Sequence, residues 1–172
     1  MTATLTTTQV QRVYIKAPAD KIWQALTDPE WTNRYGYTGF ARFDLKPGGS
    51  FLVEANEEFK AQASQGGYVC PDVVIDGEVV EVDEPHKLVF KWRMLMDPGM
   101  EAEGFTQVTY EIKDIGDGAC SLTLIHELEG APKTAAMVGG EQEDAGAGGG
   151  WAWVLSDLKS LLETGTTLAG KS

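Results

Sequence analysis

The chain has 172 residues, 42% of them apolar and 23% charged, and a formal net charge of −12. That length fits one domain, large enough to hold a core without disulfide or metal staples. The acidic excess repels phosphate backbones and anionic lipid surfaces, which argues against nucleic-acid and membrane partners, and no apolar run approaches the ~20 residues that cross a bilayer.

Residues 1–9 read as a polar lead-in with neither a basic nor an apolar stretch, so no secretory signal is expected. Cys70 and Cys120 are the only cysteines, and without such a signal a disulfide framework is not expected. The expected location is the cytoplasm. A single domain is expected over residues 10–165, followed by a short tail over 166–172.

Val10 to Lys16 reads as a strand with Val13 and Ile15 on one face. Pro18 then fits the start of a helix, whose apolar face is Ile22, Trp23, Ala25 and Leu26. Asp28-Pro29 breaks that helix, and Asp28 can cap a second short one running toward Tyr35. Phe40 to Leu45 and Ser50 to Asn56 form a hairpin across the turn Lys46-Pro47-Gly48-Gly49. Glu57 to Pro71 has no clear period, contains Gly66-Gly67 and reads as a loop, with an irregular strand near Phe59 as the alternative. Four strands follow, over Val73–Asp83, Lys87–Met96, Gly104–Ile115 and Ala119–Leu128, in the rhythm of an antiparallel meander. Glu129 to Gly150 is small, polar and glycine-rich and reads as a flexible connection, with Gly146 to Gly150 as a lid or hinge. Trp151, Val154, Leu155, Leu158 and Leu162 then form the stripe of a long amphipathic helix, which Gly165 ends with a left-handed cap.

Strand alternation selects one apolar face: Leu88, Phe90, Trp92 and Met94; Val108, Tyr110 and Ile112; Leu122, Leu124, His126 and Leu128. A sheet with one apolar face needs a cover, and only the last helix is long enough. The class is therefore α+β, a curved antiparallel sheet wrapped around a long C-terminal helix, with two short helices after the first strand.

The residues Ala17-Pro18, Ile22-Trp23, Leu26-Thr27-Asp28-Pro29, Pro47-Gly48-Gly49, Gly77, Val79, Glu81, Pro85, Leu88, Trp92, Leu122-Thr123-Leu124, His126 and Gly150-Trp151 carry a resemblance. In this order and spacing the chain resembles the START-like (SRPBCC) superfamily with its helix-grip fold. Within it, the chain resembles the group named after the activator of the ninety-kilodalton heat-shock protein ATPase. The resemblance runs from Val10 to Glu163. It implies a cavity between the last helix and the sheet, but no single activity: relatives bind lipids, hormones or polyketides, and a few act as cyclases or aromatases. The stretches around Ala61 to Asp72 and Glu129 to Gly150 depart from the commonest pattern.

Candidate chemistry is sparse. His126, on the inner face, is a ligand hydrogen-bonding group or a general acid/base, or else a core histidine satisfied by Glu81 or a backbone carbonyl. Glu81 shares a face with Gly77 and Val79 by simple alternation and, in a cavity, could orient a ligand or abstract a proton; Glu111 opposes Tyr110; a solvated strand face explains both acids equally simply, and His86 falls in a surface turn. No CxxC, HxH or HExxH spacing supports a metal, no GxSxG elbow supports a nucleophile, and the glycine run lacks the order and lysine of a phosphate loop. No metal or cofactor is expected, and no catalytic residue beyond the candidates His126 and Glu81.

The aromatic side chains are plentiful enough to wall a pocket. The cavity is expected to draw on Trp31, Tyr35, Tyr37, Phe40, Phe59, Tyr68, Phe90, Trp92, Met94, Tyr110, Leu124, His126, Trp151 and Leu155. Tyr35, Tyr37, Phe59 and Tyr68 are placed at its mouth. The leading expectation is a carrier or sensor for a small hydrophobic molecule, working as a monomer or homodimer. The alternatives are a cyclase or dehydratase acting on a polyketide-like substrate through His126 and Glu81, and a co-chaperone-like protein-interaction domain.

Overall fold

The computed structural model describes residues 7–141 and 149–168. Its elements run β1 (Thr8–Ile15), α1 (Ala19–Thr27), α2 (Pro29–Thr32), β2 (Phe40–Phe43), β3 (Ser50–Glu54), α3 (Glu57–Gln65), β4 (Val73–Asp83), β5 (Lys87–Met94), α4 (Pro98–Glu103), β6 (Thr106–Gly116), β7 (Ala119–Glu127), α5 (Pro132–Val138) and α6 (Gly150–Thr164). One curved antiparallel sheet of seven strands has the order β1-β7-β6-β5-β4-β3-β2. The chain thus makes one jump, from β1 to β2 at opposite edges, and α1 and α2 cover that crossing.

The inner face follows from alternation. Leu88 and Phe90 on β5, Val108 on β6, and Leu122, Leu124 and His126 on β7 are wholly shielded from water. Gly77 lets β4 coil tightly against β5, because a Cβ there would lie 1.7 Å from the Lys91 carbonyl oxygen. Further along β4 the register slips between Val79 and Glu81. This bulge inserts one residue and reverses the alternation beyond it.

The last helix lies over the β1 edge and closes the core with Leu155, Leu158 and Leu161. Polar ties fix its azimuth: Lys159 Nζ donates to the Tyr14 carbonyl at 2.7 Å, and the Lys16 N–H donates to Glu163 at 2.8 Å. Gly165 ends it at φ +80°, as the cap pattern predicts. The charged side chain of Asp157 is also buried on the core side, 3% exposed. Its two oxygens accept from the Gly36 N–H at 2.8 Å and the Leu168 N–H at 2.7 Å. One carboxylate therefore fastens α6 to the loop after α2 and to the segment after α6.

Three helices occupy stretches that the sequence presents as connections. Residues Glu57–Gln65 are helical, not loop: Asn56 caps α3 by accepting from the Phe59 N–H at 2.7 Å. Asp97 caps α4 in the same way at Gly99, 2.7 Å, with Pro98 at its first position. Within the expected flexible connection Glu129–Gly150, α5 is ordered by Glu103, which accepts from the Lys133 N–H at 2.8 Å, the Thr134 N–H at 2.9 Å and the Thr134 hydroxyl at 2.7 Å. Burial alone would raise the Glu103 carboxyl; those donors outweigh it and hold the group below its ordinary range. The glycine run read as a hinge lies largely outside the described residues. Its last member, Gly150, is packed: at φ +67°, a Cβ would sit 2.1 Å from the Val138 carbonyl oxygen.

Replacing Asp157 with Ala removes the buried acceptor of two part-buried N–H groups. The expected loss is about 1–3 kcal/mol of stability, read from urea unfolding, with Asp157→Asn keeping part of it. A loss within error of zero would show that these contacts do not fasten α6.

Candidate functional site

The apolar stripe of α6 meets the β1–β7 half of the sheet. The other half curves away and leaves a cavity of about 1060 Å³. Strands β2 to β6 supply one wall, including Ala41, Phe43, Phe51, Val53, Ile75, Phe90, Trp92 and Tyr110. The loop after α2 brings Tyr35 and Tyr37; α3 brings Phe59; α5 and α6 bring Met137, Val138, Trp151 and Val154. Neither β1 nor β7 contributes a lining residue. The volume lies just above the ~300–1,000 Å³ common for small-molecule sites.

Four of the chain's five methionines, Met94, Met96, Met100 and Met137, line this space. They sit at the end of β5, on α4 and on α5. Unbranched thioethers adapt to varied shapes at low cost, so this end of the wall can reshape around a guest. Tyr68 closes the same end by donating its hydroxyl to the Met96 carbonyl at 2.5 Å.

The loop over residues 35–39 is held in a strained form. Thr38 has φ +64°, rare for a β-branched residue. Its hydroxyl accepts from Asn56 Nδ2 at 3.0 Å, and Asn33 Oδ1 accepts from both Asn56 Nδ2 at 2.7 Å and the Gly39 N–H at 3.1 Å. Tyr37 Oη accepts from the Gly150 N–H at 2.8 Å, joining this loop to the start of α6. The cap of α3, the strained loop and α6 therefore form one connected rim.

Nine of the expected cavity residues line the space: Tyr35, Tyr37, Phe59, Tyr68, Phe90, Trp92, Met94, Tyr110 and Trp151. Five do not. Trp31 carries the cations of Arg34 and Lys21 on its face, at 4.5 and 5.2 Å. Phe40 alternates with the lining residues Ala41 and Phe43 and so points to the other side of β2. Leu124 and Leu155 are buried in the packed core with α6. His126 is sealed behind Trp92 and Trp151, with ring centroids 5.3 and 5.9 Å away. Phe43, Phe51 and Val53 line the wall without having been expected; their alternation along the hairpin was the available signal.

Both nitrogens of His126 are engaged, by neither of the expected partners. Trp151 Nε1–H donates to Nδ1 at 3.0 Å. Nε2 lies 2.7 Å from Thr106 Oγ1, whose own proton goes to the Trp92 carbonyl at 2.9 Å. The chain of donors therefore fixes the neutral Nε2–H tautomer. Burial pushes the imidazole down to about 3 from its ordinary 6.5. A proton on Nδ1 would face the indole N–H, so this histidine is a neutral latch under Trp151.

Glu81 is not beside it. The bulge after Val79 turns Glu81 to solvent, 53% exposed, where it pairs with Lys87 at 3.3 Å. The proton-handling pair expected from His126 and Glu81 therefore does not assemble. Glu111 is likewise exposed, as is His86. Among the described residues, no group of three His, Cys, Asp or Glu side chains comes together to hold a metal, and no helix is long and apolar enough to cross a membrane.

A wrapped antiparallel sheet gripping a C-terminal helix, with a cavity between them, defines the helix-grip class of START-like proteins. Within that class the chain belongs to the family described as "Activator of Hsp90 ATPase homolog 1-like protein", which it matches over residues 16–163. No curated protein matches it. Among solved structures, the chain is similar to the Aha1 dimer from Colwellia psychrerythraea, at 18% identity and TM-score 0.60, over 92% of this chain and 97% of that one. CalU16 from Micromonospora echinospora is similar at 20% identity and TM-score 0.61, over 94% and 68%. An HSP90 activator from Plasmodium falciparum is similar at 24% identity and TM-score 0.50, over 71% and 73%. At these identities the likeness is one of fold.

The depressed imidazole has a defined consequence. The unfolded chain takes up a proton at His126 below pH ~6.5 and the native one does not, so stability is fully present above that pH and is lost as pH falls toward ~3. The slope contributed is up to ~1.4 kcal/mol per pH unit. The stability gap between the wild type and His126→Gln should therefore narrow steadily from pH 6.5 to 4.5 in urea titrations. A gap that stays constant would mean that His126 titrates normally in the fold.

Proposed function

We propose that the protein is a carrier or sensor that holds a small hydrophobic molecule between α6 and the β2–β6 part of the sheet. The observation that carries this reading is the large cavity walled by aromatic, aliphatic and methionine side chains. Burying apolar surface there supplies ~25 cal/mol per Å² without any specific chemistry from the wall. The adaptable methionine end suits guests of more than one shape. The same wall gives the cyclase or dehydratase reading little support, since neither His126 nor Glu81 faces the cavity.

A co-chaperone role is the second reading. It rests on family membership and on the similar structure described as an HSP90 activator. A pull-down with a heat-shock ATPase of that class, and its ATPase rate with and without this protein, would test it separately.

Filling the cavity tests the main reading. Ile75 lines it from β4 and is half-buried, so Ile75→Trp places a ring in the void. The uncharged dye Nile red should bind the wild type with a blue-shifted emission and lose at least about tenfold in affinity with Ile75→Trp, while the melting temperature holds or rises. That ratio corresponds to ~1.4 kcal/mol. Equal binding by both proteins would place the dye elsewhere and remove the support for this reading.

A further inference from the structure

The polar groups inside the cavity are few, and most are spoken for. Tyr35 donates its hydroxyl to the Ala25 carbonyl at 2.8 Å, Tyr68 to that of Met96, and the Tyr37 oxygen receives the Gly150 N–H. Thr32 Oγ1 accepts from the Ala41 N–H at 2.9 Å and bonds the Gly39 carbonyl. Asp97 Oδ1 is occupied by the cap of α4.

Two buried lining residues differ. Tyr110, 9% exposed, and Trp92, 4% exposed, have no hydrogen-bond partner for the hydroxyl or the indole N–H among the described residues. Neither atom is sealed in the protein, because among the described residues the one side-chain N or O that is both fully shielded and unpaired is Gln9 Oε1. Both therefore open on the cavity.

Their chemistry points one way. An indole N–H can only donate. Burial pushes the Tyr110 phenol well above its ordinary range, so it stays protonated and keeps a proton to give. Trp92 pairs with Thr106 and Tyr110 with Leu88, four steps along the same ladder, about 13 Å apart. The charged lining groups, Lys133 and Asp97, belong to the α4–α5 end. The Tyr110 end, beside Phe90 at 5.4 Å, holds no charge.

We infer that the guest is an uncharged, mainly apolar molecule carrying a hydrogen-bond acceptor oxygen, and that the Tyr110 hydroxyl is the group that recognises this oxygen. The inference rests on the cavity reading above and adds its polarity. An anionic group at that end would face two phenols and a wall of carbon with no cation, a costly position. A pure hydrocarbon would leave the buried hydroxyl unpaired, which sets a preference for acceptor-bearing guests. Trp92 offers a second donor toward the far end of a longer guest.

A matched pair of probes separates these contributions. Fluorene and 9-fluorenone share a flat apolar frame and differ by one carbonyl oxygen. Binding of each is measured by quenching of the protein's tryptophan emission, with the wild type and Tyr110→Phe. Fluorenone should lose about tenfold in affinity with Tyr110→Phe, the scale of one hydrogen bond in an apolar site, while fluorene changes by less than about twofold. Equal losses for both probes, or none for either, would overturn the role of the hydroxyl while leaving the cavity reading in place. Binding of neither probe to the wild type would overturn both. If Tyr110→Phe fails to fold, the carbonyl stretch of fluorenone bound to the wild type decides the question. A shift to lower frequency than in hexane supports the hydrogen bond, and an unshifted band overturns it.

Discussion

The structure depends on a mismatch between its sheet and its cover. Seven antiparallel strands present one curved apolar face, and a single helix of fifteen residues must close it. A helix of that length spans about 22 Å, less than the width of a seven-stranded sheet at ~4.8 Å per strand. Lys159, Glu163 and Asp157 lock α6 toward the β1 edge and the adjoining loop. The rest of the sheet must then bury its face against something other than α6. Short helices and the 35–39 loop rim that space without filling it, and the cavity is what remains.

The boundary between packed core and cavity is built from polar groups that satisfy one another. Trp151, His126, Thr106 and the Trp92 carbonyl form one line of donors and acceptors across α6, β7, β6 and β5. An unpaired member would carry a full desolvation penalty, so the line is more sensitive to disruption than a run of aliphatic contacts. Trp151 is both the end of this line and a lining residue, so the packed interior and the cavity wall share one side chain. The position of the covering helix is thereby coupled to whatever shape the cavity takes.

Much of the fold was legible because two strong periodicities set it. The alternation of Leu88, Phe90 and Trp92 with the matching sets on β6 and β7 named the buried face, and the stripe from Trp151 to Leu162 named its cover. The missed helices are short, and their signal lies in capping instead of period. In α3 the apolar residues Phe59, Ala61 and Ala63 recur every second position, as in a strand, while the Asn56 cap and the acids Glu57 and Glu58 were the informative feature. The sequence leaves the side of Glu81 open, between cavity and solvent, for a different reason. The bulge sits between Val79 and Glu81, beside two adjacent valines, and nothing in Val79-Val80-Glu81 distinguishes a bulged strand from a regular one. The site was partly legible: aromatic residues on inward strand positions were found, but whether a buried side chain faces solid packing or a void depends on where α6 stops, which periodicity does not encode.

The same geometry explains why the one inward histidine is a poor catalyst and yet is retained in an apolar interior. Placed facing the cavity, a neutral imidazole would be a proton acceptor for any guest. Placed one layer back, with Trp92 and Trp151 between it and the void, it presents only their indole rings to a ligand. Away from the charged α4–α5 end, the polarity that reaches the cavity is then that of donors, an indole N–H and a phenol held protonated by burial. Glu81, by contrast, is solvated on the outer surface beside Lys87, and the charged groups that do line the cavity, Asp97 and Lys133, sit at its α4–α5 end.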